Sequence, residues 1–291
     1  MQAARTCWQI YGFALSVGLS SAVSGSRGIG LKQLVMPVGY WRFPVFGLTA
    51  EALNDLPAGS RVLDIGSPKL LSLYLALVKG FEVWATDLQD AAIERRYQRH
   101  YRDYRFARHC LGRYHVEYQD GRNLPYADES FDSVYSLSVV EHIPDGGDSA
   151  CCAEIGRVLR PGGAAVIEVP FAPQARDTYV AHSVYGRGSQ GEPVFYQRHY
   201  DPTTVWDRLI RPSGLALRTA YICRERFAFG DRWQKMPLPV RGPLLWAEAY
   251  MSRCNHAVVE VGAAFEARPA SGAMNITLLL EKVGRPEEEQ A

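Results

Sequence analysis

The chain has 291 residues, 47% hydrophobic and 22% charged, with a formal net charge of +1. That length suits one large α/β domain with additions or two small ones, and the composition is that of an ordinary soluble globular protein. The charge balance gives no general electrostatic case for nucleic acid or an anionic membrane, and six cysteines without a CxxC pair point to reduced thiols, hence a cytoplasmic location, rather than a disulfide frame.

The first fifty-five residues read as a helical and irregular arm. Cys7 to Val23 is apolar but interrupted by Gln9, Gly12, Ser16, Gly18, Ser20 and Ser21, so it falls short of a spanning helix. The cleavage pattern of a signal peptide is weak. A leading helix that packs on the domain, or dips into a membrane surface, fits better. The aromatic run from Gly39 to Phe46 suits either an arm packed on the core or a cover over a pocket mouth.

From residue 56 strands and helices alternate, which predicts a doubly wound, mainly parallel sheet. Val62, Leu63 and Ile65 form a buried strand that ends at Gly66, where the backbone must turn or let a ligand approach. Ser67 can cap the helix that follows, and Pro68 suits its first turn. Leucines at helical spacing carry that helix to about residue 79. Strand two is 82–86 and ends at Asp87. A basic helix with six arginines is expected near 90–108; a solvated face is its default reading, RNA contact the sharper one. Strand three is 114–118, before Asp120-Gly121, and strand four is 133–138. A helix over about 147–159 meets the stop signal Arg160-Pro161-Gly162-Gly163, and strand five is 164–169. The second half is less regular. Insertions are expected at about 171–200 and 226–272. Between and after them come a helix near 202–211 capped by Asp201, strand six near 215–224 and strand seven near 276–283. Residues 284–291 read as a solvated tail.

The spacing sets three acids, Asp64, Asp87 and Asp120, at or near the ends of three successive strands. In a parallel sheet those ends share one edge. Asp87 lies where an acceptor for ribose hydroxyls belongs, roughly 20 residues past the glycine turn. For each acid the structural alternative is a helix cap or a buried strand residue.

With VLDIG at 62–66, ATD at 85–87, DGRNLPY at 120–126, SFDSVYSLSVVEHI at 130–143 and EIGRVLRPGG at 154–163, the chain resembles the class I S-adenosylmethionine-dependent methyltransferases, in particular the type 11 methyltransferase domain. The resemblance covers about 60–170 well and strands six and seven more loosely. It implies a seven-stranded Rossmann-like methyltransferase domain over 56–283, with S-adenosyl-L-methionine as co-substrate. It implies that Asp64 organises the turn around the methionine amino group and that Gly66 lets the backbone approach. Asp87 would take the ribose hydroxyls, with Leu88 against the adenine. Asp120 would accept from the adenine amino group while Gly121 donates to the ring, and Ser136 would line the methionine arm.

The turn departs from the family's GxGxG, because Pro68 and Leu70 replace the second and third glycines and proline cannot adopt positive φ. Together with Ser67, Lys69 at the helix start would belong to the pocket, its cation neutralising the methionine carboxylate; a solvent-facing lysine is the alternative. Glu141 and His142, just after strand four, are the candidate catalytic groups, with helix capping as their alternative role. The implied activity is methyl transfer to a small-molecule acceptor. Pro68 also motivates a second function, a cofactor-binding but inactive regulatory or assembly protein. A nicotinamide-dependent dehydrogenase fits poorly, since only Gly66 remains of a GxGxxG turn. The insertions leave room for a peripheral membrane contact and for a homodimer, and the segment 236–251 suits a lid, a dimer contact or a membrane-surface face alike.

Overall fold

The computed structural model describes residues 2–24, 29–66, 69–88, 98–99, 101–102, 104, 112–181, 193–262 and 273–284. Ser67, Pro68, most of the basic segment 90–108 and the tail 285–291 lie outside them.

The central sheet has eight strands: β1 (Arg61–Ile65), β2 (Glu82–Asp87), β3 (Tyr114–Tyr118), β4 (Phe131–Leu137), β5 (Leu159–Pro170), β8 (Ala216–Glu225), β9 (His256–Glu260) and β10 (Ala273–Glu281). Their order is β3-β2-β1-β4-β5-β10-β8-β9. The first five are parallel, whereas β10 runs antiparallel to both β5 and β8. Seven of these are the strands legible in the sequence. The eighth, β9, comes from the second insertion and pairs antiparallel with β8. It is only five residues long and mostly exposed, so no buried alternation marks it. Between β5 and β8 the first insertion forms an antiparallel ribbon of β6 (Arg176–Val180) and β7 (Val194–His199).

Side chains alternate across the sheet. Val62 packs on the face covered by α1 (Gln2–Val23), α3 (Arg42–Ala52) and α4 (Lys69–Leu77). Leu63 and Ile65 face α5 (Gly147–Val158) and the helix at 202–213, here α6. Asp201 caps α6 through the Thr204 amide at 2.9 Å, in a reciprocal capping box. The helix contains a π-turn at Trp206–Ile210 and ends at Gly214, whose φ is +65°.

The leading helix is part of the core. Ile10, Phe13, Ala14 and Val17 are buried on one stripe of α1. It crosses α3 so closely that a Cβ at Gly47 would overlap Cys7 Sγ and the Ala3 carbonyl. Among the described residues no helix is long and apolar enough to cross a membrane.

Candidate active site

The parallel strands place their carboxyl ends along one edge. Gly66 turns the chain off β1 at φ +66°, a region that L side chains avoid. Its amide donates to the Thr86 carbonyl at 2.8 Å. A Cβ on Gly66 would stand 2.7 Å from Val139 Cγ1, so this residue type is imposed twice.

The three strand-end acids do not share one environment. Asp64 shares the α4 face of β1 and is fully buried. Its carboxylate accepts from the Ser72 hydroxyl, which in turn accepts from Tyr135 at 3.2 Å. Asp64 therefore lies beneath the turn and ties β1 to α4. Asp87 ends β2 and is partly exposed, with half-buried Leu88 beside it. Asp120 lies past β3, in a forked pair with Arg122: Nη2 to Oδ2 is 2.7 Å and Nε to Oδ1 is 3.0 Å. The adjoining Gly121 packs tightly, since a Cβ there would lie 3.0 Å from Cys151 Sγ. Ser136 is fully buried and donates to the Ile65 carbonyl at 3.3 Å, bridging the ends of β4 and β1.

Lys69 is 3% exposed, which disposes of a solvent-facing lysine. Its ammonium donates to the Thr86 carbonyl at 2.8 Å and stands 3.6 Å from Asp87 Oδ2. This cation, at the start of α4, is drawn toward the end of β2.

A cavity of about 1030 Å³ opens past the ends of β4 and β5. Its lining includes Trp41, Arg42, Ser138, Glu141, His142 and Tyr196. The chain leaves β4 through Ser138 at φ +54°, a strained conformation for a non-glycine residue. Four contacts hold it. The Ser138 amide donates to the Glu168 carbonyl at 3.0 Å and its hydroxyl to Glu168 Oε2 at 2.7 Å. Arg42 donates to the Ser138 hydroxyl at 3.0 Å and to the Leu137 carbonyl at 3.3 Å. Asn275 of β10 donates to the other Glu168 oxygen. Burial raises the Glu168 carboxyl above its ordinary range, against the pull of Arg42, Ser138 and Asn275.

Glu141 and His142 occupy a single helical turn, Val140–His142, directly after this bend. His142 Nδ1 lies 2.6 Å from the Tyr196 carbonyl. A carbonyl can only accept, so Nδ1 carries the proton and Nε2 is the basic nitrogen. Burial lowers the His142 pKa, which favours the neutral ring. Glu141 Oε1 is 3.6 Å from that Nε2. The Glu141 carboxyl is 1% exposed, and among the described residues its Oε2 has no hydrogen-bond partner. Burial first, then the nearby negative charge of Glu168, raises its pKa well above the usual range. Two buried carboxyls thus face one nearby guanidinium, and burial pushes both toward the protonated form, Glu141 the further.

Arg42, Ser138, Glu168 and Asn275 were not among the residues singled out from sequence. Only Glu168 left a trace, as an acid inside the apolar strand 164–169, which requires a buried partner. A second cavity, of about 850 Å³, lies under the start of α1 against β8 and β9; its lining includes none of Asp64, Asp87 and Asp120.

Behind the cavity, Asp148 of α5 anchors the inserted ribbon. It is fully buried and accepts from Arg198 Nη1 at 2.6 Å, Arg208 Nη2 at 2.6 Å and Tyr200 at 2.9 Å. Burial raises its pKa, but these bonds outweigh that and hold it below the ordinary value.

This strand order, with a glycine turn after the first strand and an antiparallel strand beside β5, defines an α/β methyltransferase fold. Residues 63–167 match the family described as a methyltransferase domain. An O-methyltransferase from Penicillium expansum is 30% identical over 147 residues, covering 45% of this chain and 49% of that protein. The 27-O-demethylrifamycin SV methyltransferase of Amycolatopsis mediterranei is 34% identical over 119 residues, covering 40% and 41%. The chain thus spans about half the length of the curated relatives it matches. Among solved structures, a SAM-dependent methyltransferase from Methanosarcina mazei superposes with a TM-score of 0.51 at 16% identity, covering 80% of this chain and 96% of that one.

Proposed function

We propose that the chain is an S-adenosylmethionine-dependent methyltransferase acting on a hydroxyl of a small molecule. The observation that carries this reading is a glycine turn after β1 and acids at the ends of β2 and β3, on the same sheet edge where a cavity past β4 and β5 holds an oriented histidine. Two relatives named as methyltransferases of oxygen acceptors support the choice of a hydroxyl.

The residues present fit the cofactor. Asp87 and Asp120 are acceptors, as ribose hydroxyls and an adenine amino group require, and the Gly66 turn has no side chain to obstruct close approach. Asp64 supports this turn from below rather than lining the pocket. Ser136 secures β4 to β1 beside it. Buried Lys69 supplies a cation for the methionine carboxylate, in exchange for part of its attraction to Asp87. Leu88 would flank the adenine, Gly121 would reach the ring through its amide, and Ser67 follows Gly66 in the chain.

S-adenosylmethionine supplies a methyl group activated by a sulfonium. Alignment of an acceptor oxygen with that methyl accounts for much of the rate in such a displacement. His142 Nε2 would take the hydroxyl proton as the oxygen–carbon bond forms and the methyl–sulfur bond breaks to leave S-adenosylhomocysteine, and the Tyr196 carbonyl would stabilise the imidazolium through Nδ1–H. Neutral Glu141 orients the acceptor without adding a negative charge near Nε2.

Two measurements test the reading. S-adenosylhomocysteine should raise the melting temperature, and Asp87→Ala should remove that shift. A panel of phenols and alcohols, scored by release of S-adenosylhomocysteine, should yield a substrate whose turnover falls roughly 10²–10⁴-fold in His142→Ala with the thermal shift kept. A thermal shift without transfer to any acceptor would instead favour an inactive binding protein.

A further inference from the structure

Six large apolar side chains between residues 236 and 250 stand in solvent. Met236, Leu238, Val240, Leu244, Trp246 and Tyr250 are 38–62% exposed. Scattered exposed apolar residues are ordinary, but six within fifteen positions make a patch. Pro237, Pro239 and Pro243 divide the stretch into single turns that lead into the helix Glu248–Asn255.

The segment is not a loose loop. The Trp246 carbonyl accepts from Tyr11 of α1 at 3.1 Å, and the rings of Trp8 and Tyr250 lie 4.6 Å apart. Buried Glu248 accepts from the Trp233 indole at 2.8 Å and from the Tyr40 amide at 3.0 Å. A fixed underside with an apolar outer surface is built to meet something.

Charge selects the occupant. From Arg232 to Ala247 the sequence carries Arg232, Lys235 and Arg241 and no acid, although the chain as a whole is nearly neutral. A two-fold contact between copies would set these cations against their own kind. A layer of apolar chains beneath anionic headgroups satisfies both features, and Trp and Tyr are the side chains that favour such an interface. We propose that residues 236–250 are a docking face for an anionic bilayer surface. Arg241 and the neighbouring Gln234 also line the strand-end cavity, so docking sets the cavity mouth at headgroup level. Delivery of an acceptor from the lipid layer would rest on the methyltransferase reading; docking itself does not.

The test is flotation of the full chain with vesicles. The chain should bind phosphatidylcholine vesicles containing phosphatidylserine about tenfold or more tightly than vesicles of phosphatidylcholine alone. Added salt should weaken that binding. The double variant Leu244→Glu/Trp246→Glu should lose flotation, and Arg232→Glu/Lys235→Glu should lose the preference for anionic lipid. Should the first pair fail to fold, Leu238→Ser/Val240→Ser, two highly exposed positions, makes the same measurement. An unchanged response to S-adenosylhomocysteine in the variants separates loss of docking from loss of the cofactor site. Equal flotation of wild type and apolar variants, or none by wild type, overturns the proposal. So does a concentration-dependent dimer that the apolar variants abolish while wild type ignores vesicles.

Discussion

At residue scale, the two groups after β4 carry opposite pH signatures. His142 has a depressed pKa, so its Nε2 remains unprotonated down to a pH below the ordinary histidine value. The transfer rate should therefore be flat near neutrality and fall only as pH drops below about 6.5. A pH–rate profile in which this acid limb persists in His142→Gln would remove the base role. Glu141 is shifted upward, and the sign for stability follows. A carboxyl whose folded pKa exceeds its unfolded one takes up a proton on folding, so its contribution declines as pH rises from the unfolded value toward the folded one. Glu141→Gln, which resembles the neutral acid, should unfold at a higher denaturant concentration than wild type at pH 8. The difference should shrink toward pH 5. Equal midpoints at both pH values would mean that Glu141 is ionised in the folded protein.

At the scale of elements, the strands legible in the sequence are those with buried apolar residues and a turn at each end. Val62 to Ile65 with Gly66, and Ala164 to Val169 after Gly162-Gly163, both satisfy that rule. The ribbon β6–β7 does not. Its side chains are mostly partly exposed, and its position depends on a partner distant in sequence, the Asp148 carboxylate of α5. The strand-end acids could be located by spacing, yet not oriented. Asp64 turns to the Val62 face of β1, against Ser72 of α4, rather than to the edge. Arg42 and Glu168 stayed hidden for a related reason, since they are 126 positions apart and meet only when α3 packs on the sheet. The Asp148 cluster yields a prediction for its elements. Asp148→Asn would leave Arg198 and Arg208 without their shared carboxylate and should cost about 3–5 kcal/mol. Because the Asp148 pKa is depressed, its stabilisation is present above the unfolded value and lost as pH falls through the folded one. Wild type should then be more acid-labile than the variant relative to their respective stabilities at pH 7. Parallel stability curves between pH 7 and pH 3 would show that the ion cluster contributes no pH-dependent stability.

For the whole molecule, the arm matters because it joins the outer helix to the strand-end cavity. The α1–α3 crossing is set by Gly47, and Cys7 donates its thiol to the Phe43 carbonyl at 2.8 Å. One residue before Phe43, Arg42 reaches Ser138 and Glu168 at the cavity. A displaced α1 would therefore move the guanidinium that steadies the strained exit from β4. Gly47→Val forces two branched methyls into space held by Cys7 and the Ala3 carbonyl, and should cost about 1–3 kcal/mol. Cys7 provides a local readout. Burial pushes its thiol up to about 12, so alkylation at neutral pH should spare it in wild type. In Gly47→Val, mass spectrometry should find Cys7 labelled under native conditions, and turnover should fall while S-adenosylhomocysteine still raises the melting temperature. That split follows from geometry: Arg42 reaches the ends of β4 and β5, whereas Asp87 and Asp120 stand past β2 and β3. If labelling rises with turnover intact, α1 is a cover for the core alone, and Arg42 keeps its place without it.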